Sequence, residues 1–410
     1  MTIARRICAA EIAPDATSNT LHLIKTNKMK RIIFLVAVIF GINTLSAQPK
    51  LPLQITANAW EAGVKSAGHI QGIAVDSKRE FIYVSFTTLL VKLDMQGNVI
   101  GSVTGLLGHL GCLEFNEEDG RVYGSMEYKN DSIGRGILKQ EGASQPVEDG
   151  FYVAIFDVDK IVRKGMSAEE DGVMTTVLLK TVLEDYKATV PTSLGKASPH
   201  RFCCSGIDGI SFGPSFDGKG GNMLTVAYGI YKDVDRTDNN YQVLLQYDTK
   251  GWARYEAPIS QGKLHQQGPA KPKGRYFVYT GSTSWGVQNL EYDKERNLWF
   301  LATYKGKKSE FANYTLFVVD GSKRAVKGAL HGYEYQRHGK LLSLADMGAT
   351  DPRNPEIRGW HNKLGAMGLC ALGDGLYYLA DGGKTKQGRT GTIYLARFVG
   401  STAVAFEIVK

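Results

Sequence analysis

Short apolar runs broken by polar turns dominate the chain beyond residue 50. One pattern recurs: an apolar strand, a turn carrying Asp, Asn or Gly, then a second strand with an aromatic residue. Five copies begin near Gln71, Gly111, Asp208, Gln288 and Met367. They read QGIAVDSKREFIYVSF, GCLEFNEEDGRVYGSM, DGISFGPSFDGKGGNMLTVAY, QNLEYDKERNLWFLATY and MGLCALGDGLYYLAD. Two apolar runs around a turn-rich gap predict a β-hairpin in each. Further apolar runs follow, such as LLVKLDMQG and NVIGSVTG after the first copy, FYVAIFDVD and TTVLLKTVL after the second, and GTIYLARFV and AVAFEIVK after the fifth.

Four-stranded antiparallel units of this kind predict an all-β chain folded as a single β-propeller. The repeat supports five blades, and extra strand-like runs at 255–285 and 330–346 leave room for a sixth. A β-sandwich with irregular repeats is the rival architecture. The copies are unevenly spaced, so blades two to four must carry insertions. Polar, Gly- or Pro-bearing stretches at 134–150, 231–241, 260–274 and 348–364 have the composition of such loops. Leu51–Ala57 is expected to pair with the last blade, closing the ring and hiding two sheet edges.

The N-terminus has a different pattern. Met29-Lys30-Arg31 precedes an apolar run from Ile32 to Ile42, and small residues lead to Ala47. This is the layout of a secretory signal peptide over 29–47, cleaved near Ala47. The run is short for a bilayer span, although an N-terminal anchor helix is the alternative. Residues 1–28 read as an upstream extension from a start assigned too early. The propeller domain is then 48–410, secreted or periplasmic, with no transmembrane anchor. The chain carries a net charge of +8; residues 1–47 hold six basic and two acidic side chains, so 48–410 carry +4. A nucleic-acid partner thereby loses most of its support.

Cys112, Cys203, Cys204 and Cys370 remain after the leader, without the CxxC spacing of a zinc ribbon. Cys203 and Cys204 read either as a strained vicinal disulfide or as free or separately paired thiols. Cys112 and Cys370 fall in predicted strands, where a free thiol acts as a small hydrophobe.

The innermost strand of each blade lines the channel. These strands align on Ile73, Leu113, Ile210, Leu290 and Leu369. Two residues earlier stand Gln71, Gly111, Asp208, Gln288 and Met367; four earlier stand His69, His109, Gly206, Gly286 and Gly365. Period-two alternation puts both sets on one side of their strands. The reading therefore gathers polar groups at one channel mouth. His69, His109 and Asp208 are candidate catalytic residues, with a His as base. Gln71, Asp208 and Gln288 are candidate oxygen ligands for a hard divalent cation such as calcium. A water-filled channel with satisfied polar groups is the plain alternative. The second strands should bring Glu127, Tyr128, Tyr228, Tyr304 and Asp381 to the same face. Trp285 and Trp360 flank inner strands and could stack on a flat ligand or simply pack between blades. Lys384, Lys386 and Arg389 form a basic loop.

The third copy, GIDGISFGPSFDGKGGNMLTVAYG, the fourth, VQNLEYDKERNLWFLA, and the first, GHIQGIAVD, resemble the gluconolactonase and senescence-marker-protein family, and NHL-repeat propellers more loosely. That resemblance implies a metal at the channel mouth held by Glu, Asn and Asp, and lactone hydrolysis in many members. The matching positions here are Gln71, Asp208 and Gln288. None keeps the family's residue, and one formal charge stands where the family has two, which implies weaker metal binding. His69 with His109 is faintly similar to the paired His of paraoxonase-like enzymes.

Two functions follow as expectations. One is a propeller that binds a glycan, a small molecule or an envelope protein at the mouth. The other is a metal-assisted hydrolase of the lactonase or esterase type. A purely structural role in an envelope complex is a third. No Gly-x-Ser-x-Gly, His-Glu-x-x-His or phosphate-cradling loop is present.

Overall fold

The computed structural model describes residues 50–57, 67–76, 78, 80–143, 148–192, 195, 197–386 and 388–410. The stretches read as an upstream extension and a signal peptide lie outside them. The described chain is an all-β propeller of five blades.

Each predicted hairpin forms the inner two strands of a blade. Blade 1 is Ile70–Val75, Phe81–Phe86, Leu89–Asp94 and Val99–Thr104. Blade 2 is His109–Asn116, Arg121–Tyr128, Gly150–Phe156 and Met174–Leu178. Blade 3 is Cys204–Pro214, Asn222–Ile230, Tyr241–Tyr247 and Gly274–Tyr279. Blade 4 is Thr283–Asp293, Leu298–Lys305 and Leu316–Asp320. Blade 5 is Leu369–Gly373, Leu376–Thr385 and Gly388–Phe398.

The extra strand-like runs do not build a sixth blade. Gly274–Tyr279 is the fourth strand of blade 3, and His338–Leu342 adds to it in parallel, followed by Val326–Ala329. Blade 4 departs from the four-strand expectation: its outer position holds only isolated bridges, from Leu316 to Trp360 and from Val319 to Leu344. Ring closure is as expected, since Leu53–Ala57 pairs antiparallel with Gly388–Phe398 and supplies the outer strand of blade 5.

Two stretches read as loop or strand are helical. Ser132–Glu141 is a helix that overlaps the first part of the 134–150 insertion, capped by Asp131, which accepts from Ile133 N and Gly134 N. The second half of TTVLLKTVL turns into the helix Lys180–Lys187, where Val182 and Tyr186 share a buried face at i, i+4 spacing. Among the described residues, no helix is long and apolar enough to cross a membrane.

Five apolar clusters hold the ring together, one between each pair of neighbouring blades. Tyr83 and Leu90 meet Leu113 and Met126 between blades 1 and 2. Phe151 and Val153 meet Ile210 and Val226 between blades 2 and 3. Leu244 and Tyr276 meet Leu290 and Trp299 between blades 3 and 4. Phe300 and Leu316 meet Tyr377 and Phe398 between blades 4 and 5. Ile82 and Val84 meet Tyr378 and Ile393 between blades 5 and 1. Burial of these side chains is the main drive for closing the ring. At the axis the inner strands approach closely. A Cβ on Gly72 would lie 2.7 Å from Leu113 N and 2.8 Å from Cys112 Cα, so blades 1 and 2 touch there through backbone.

Candidate functional site

The sequence alignment of the inner strands corresponds to a structural feature that period-two counting does not foresee. In blades 1 to 4 the pairing of the first two strands slips at the same aligned place. The shift falls between Ile70 and Gly72, between Leu110 and Leu113, between Ile207 and Ile210, and between Val287 and Asn289. Gln71, Gly111, Asp208 and Gln288 sit at these bulges. A bulge leaves its extra residue out of the ladder and re-aims its side chain. Here three such side chains turn to one end of the channel.

They form a chain of polar contacts across blades 1 to 4. Gln71 Nε2 lies 3.0 Å from His69 Nε2, 2.9 Å from His109 Nε2 and 3.2 Å from Thr87 Oγ1. The amide nitrogen donates, so the His109 proton sits on Nδ1. That Nδ1 has no hydrogen-bond partner and lies 3.7 Å from Asp208 Oδ1. Gln288 Nε2 closes the chain by donating to Asp208 Oδ2 at 3.0 Å and to the Trp285 carbonyl at 2.9 Å. Ser125 Oγ donates to the Asp208 carbonyl at 2.6 Å and fixes the bulge itself.

Lys129 and Glu127 lie beside this chain. Lys129 Nζ is 2.7 Å from Glu127 Oε2 and donates to the Ser205 carbonyl at 3.0 Å. Glu127 Oε1 accepts from Ile207 N, directly before Asp208. Both side chains are almost wholly buried. Burial opposes the Lys129 charge, but Glu127 with Asp131 and Asp208 wins, and its pKa moves up. Burial pushes Glu127 up, with Lys129 opposing. Asp208 is held well above the ordinary carboxylate range, first by burial and then by Glu127, against the pull of Lys129 and Gln288. Burial, with Lys129 and His69, lowers His109 to about 3. His69 is also lowered, by burial and by Arg389. The mouth is therefore lined by neutral imidazoles, two amides and a carboxyl that favours its proton.

Of the expected aromatic residues, two reach this region. Trp285 is half-buried, with φ of 65°, packed edge-on to Tyr231 and with Lys232 Nζ 5.2 Å from its centroid. Tyr304 lies within the influence of Asp208, which with burial lifts its phenol to about 12. Trp360 is placed elsewhere: it is buried, donates Nε1 to the Ser401 carbonyl at 2.7 Å and packs on Phe398 between blades 4 and 5. Asp381 is exposed on the blade 5 hairpin, where its carboxylate accepts from Gly382 N. Tyr128 and Tyr228 are turned into the core, bonded to Gln261 Oε1 and Asp185 Oδ2. Cys112, Cys203, Cys204 and Cys370 are free, buried thiols.

Lys129 and Asn289 are neighbours of the site that the sequence reading missed. Asn289 Nδ2 crosses the axis to the Gln71 and Ala366 carbonyls at 2.8 and 3.1 Å. Lys129 stands one residue past the end of the strand Arg121–Tyr128, so strand alternation does not place it, and its position beside Glu127 is seen only in the structure. Among the described residues, no group of three His, Cys, Asp or Glu side chains is arranged to hold a metal ion. At the positions expected to ligate one, Gln71 and Gln288 turn their amide nitrogens to His and Asp neighbours; a cation would have to use the remaining amide oxygens with Asp208.

No family model matches the chain, and no curated protein matches it. Among the solved structures similar to it are the following two. A protein of unknown function from Bacteroides caccae shows 10% identity over 67% of this chain and 81% of its own, with a TM-score of 0.28. The holo form of the pyranose dehydrogenase PQQ domain from Coprinopsis cinerea shows 12% identity over 78% of this chain and 81% of its own, with a TM-score of 0.31.

Proposed function

We propose that this chain is an exported β-propeller that binds a polyhydroxy ligand, a glycan or small sugar, at the mouth lined by Gln71, His69, His109, Asp208 and Gln288. One observation carries the reading. Gln288 Nε2 bridges Asp208 Oδ2 and the Trp285 backbone carbonyl, so the carboxyl is tied to the segment that carries a half-buried indole. Sugars need that combination: an aromatic face for their C–H surface, and carboxyl, amide and imidazole groups for their hydroxyls. Export rests on the basic, apolar and small-residue pattern of 29–47.

The hydrolase reading has the His109–Asp208 approach in its favour. Against it, Nε2 of both imidazoles is engaged by Gln71, and a base would first have to give up that bond. A calcium ion at Gln71, Asp208 and Gln288 belongs to this second reading.

The test is a glycan array probed with purified protein, followed by titration of the best ligand. Asp208→Ala and Trp285→Ala should each weaken binding about tenfold or more. Absence of binding across the array, or equal affinity in both variants, contradicts the proposal. Turnover of lactones or aryl esters that is lost in His109→Ala would favour the alternative.

A further inference from the structure

The basic loop of blade 5 lies apart from the polar chain that crosses blades 1 to 4. In blade 5 the strands Leu376–Thr385 and Gly388–Phe398 stay paired to the end of their hairpin. Three pairs follow one another outward: Ala380 with Ile393, Gly382 with Gly391, and Lys384 with Arg389. Period-two alternation keeps all six residues on one face. The first pair is buried in the apolar cluster between blades 5 and 1. The glycine pair meets the start of two inner strands. A Cβ on Gly391 would lie 2.5 Å from Ile70 Cδ1, and one on Gly382 would lie 2.8 Å from Met367 Sδ. Ile70 stands between His69 and Gln71, and Met367 is the blade 5 residue aligned with Gln71. The glycine pair is therefore level with the mouth. Two residues further out, about 7 Å along the strand, the exposed Lys384 and Arg389 extend the same face beyond the rim.

Two cations directly opposite each other on one face repel, and such a pair weakens a hairpin. The hairpin holds nothing to offset this. Asp381 is its one carboxylate, and alternation turns it to the other face. The closing strand Leu53–Ala57, which pairs alongside Arg389, has no acidic residue. Among the described residues, no carboxylate pairs with either cation. The carboxyl groups of the mouth, Glu127 and Asp208, belong to blades 2 and 3 and are engaged by Lys129 and Gln288. A third donor is near. Gln71 Nε2 donates to His69 Nε2, so the His69 proton sits on Nδ1. His69 directly precedes Ile70, and Arg389 is close enough to it to help lower its pKa.

We propose that Lys384, Arg389 and the Nδ1–H of His69 form an anion subsite on the blade 5 rim of the mouth, and that the sugar bound there is acidic, bearing a carboxylate or a sulfate. The inference rests on the sugar-binding reading and narrows it to one class of ligand. A planar guanidinium takes two oxygens of such a group in parallel, and the ammonium adds a point charge. The anion also relieves the repulsion between the two cations, which a neutral sugar does not do.

The test is calorimetric titration of the whole chain with three probes: trigalacturonic acid, its neutral methyl ester and a sulfated galactose trimer. The acid, the sulfated trimer or both should bind about tenfold or more tighter than the ester, and which of them does so names the anion. The advantage should shrink as salt rises from about 0.02 to 0.5 M. The double variant Lys384→Gln/Arg389→Gln changes only exposed side chains and should cancel the advantage. Equal affinity for charged and neutral probes in the wild type, or an advantage that survives in the variant, overturns the subsite and leaves sugar binding standing. Should none of the three bind, inorganic sulfate decides. If its titration moves the His69 nitrogen-15 signals in the wild type and not in the variant, the anion subsite stands and the sugar reading falls. No shift in the wild type, or the same shift in both proteins, overturns the subsite.

Discussion

The carboxylate of Glu127 occupies the space that a side chain at Gly206 would need. A Cβ built on Gly206 would stand 1.8 Å from Glu127 Oε1. Gly206 also has φ of 134°, which only glycine adopts without strain. Gly206→Ala should expel Glu127 from its contacts with Lys129 and Ile207 N, at a cost of about 3–5 kcal/mol, the usual penalty for breaking a buried pair. Urea unfolding of the variant checks this; a loss under about 1 kcal/mol would show that the carboxylate can move aside freely.

Lys129→Met tests the same pair from its other side. It leaves Glu127 buried without a counter-charge and should cost about as much. Adding Glu127→Gln removes the orphaned charge, so the double variant should recover part of the loss. A double variant less stable than either single one would contradict the pairing.

Much of the fold was legible because each blade repeats a local rule, apolar strand, turn, aromatic strand, and five copies point to one axis. The closing strand 53–57 was readable for the same reason: it is an unpaired apolar run next to a ring that needs an edge covered. The site was legible as a set of aligned positions, but not as a geometry. Alternation alone cannot reveal a bulge, and bulges at Gln71, Asp208 and Gln288 bring these side chains together. Trp360 was misleading because it follows Arg358-Gly359 in an insertion whose end, rather than its middle, leads back to the channel. Its ring fills the gap between blades 4 and 5 instead. Glu114 and Glu291 were present in the alignment, each one residue past the apolar anchor, yet an acidic residue near a turn reads as solvated until it is placed in a cavity shared with other blades.

His109 should stay neutral through the physiological range. Its folded pKa, about 3, lies below the ordinary imidazole value, so its contribution to stability is present above about pH 6.5 and is lost as pH falls toward the folded value. The slope should approach about 1.4 kcal/mol per pH unit within that window. Nitrogen-15 NMR should find the proton on Nδ1 and no titration down to about pH 5. A titration near pH 6.5, or a proton on Nε2, would contradict the Gln71 hydrogen bond.

Trp285 separates stability from binding. Its left-handed backbone is strained for any side chain with a Cβ. Trp285→Gly should therefore be more stable than Trp285→Ala by about 1 kcal/mol, while both lose the indole face. Equal stability would mean that the backbone relaxes once the ring is gone. Equal sugar affinity in wild type and either variant would remove Trp285 from the site.

The most direct measurement is a crystal of the protein soaked with the tightest-binding sugar from the array. The account predicts density at the end of the channel where blades 1 to 4 are bulged, with hydroxyls on Asp208 and Gln288 and a ring face against Trp285. A sugar bound on the blade rims, with that mouth left to solvent, would contradict it.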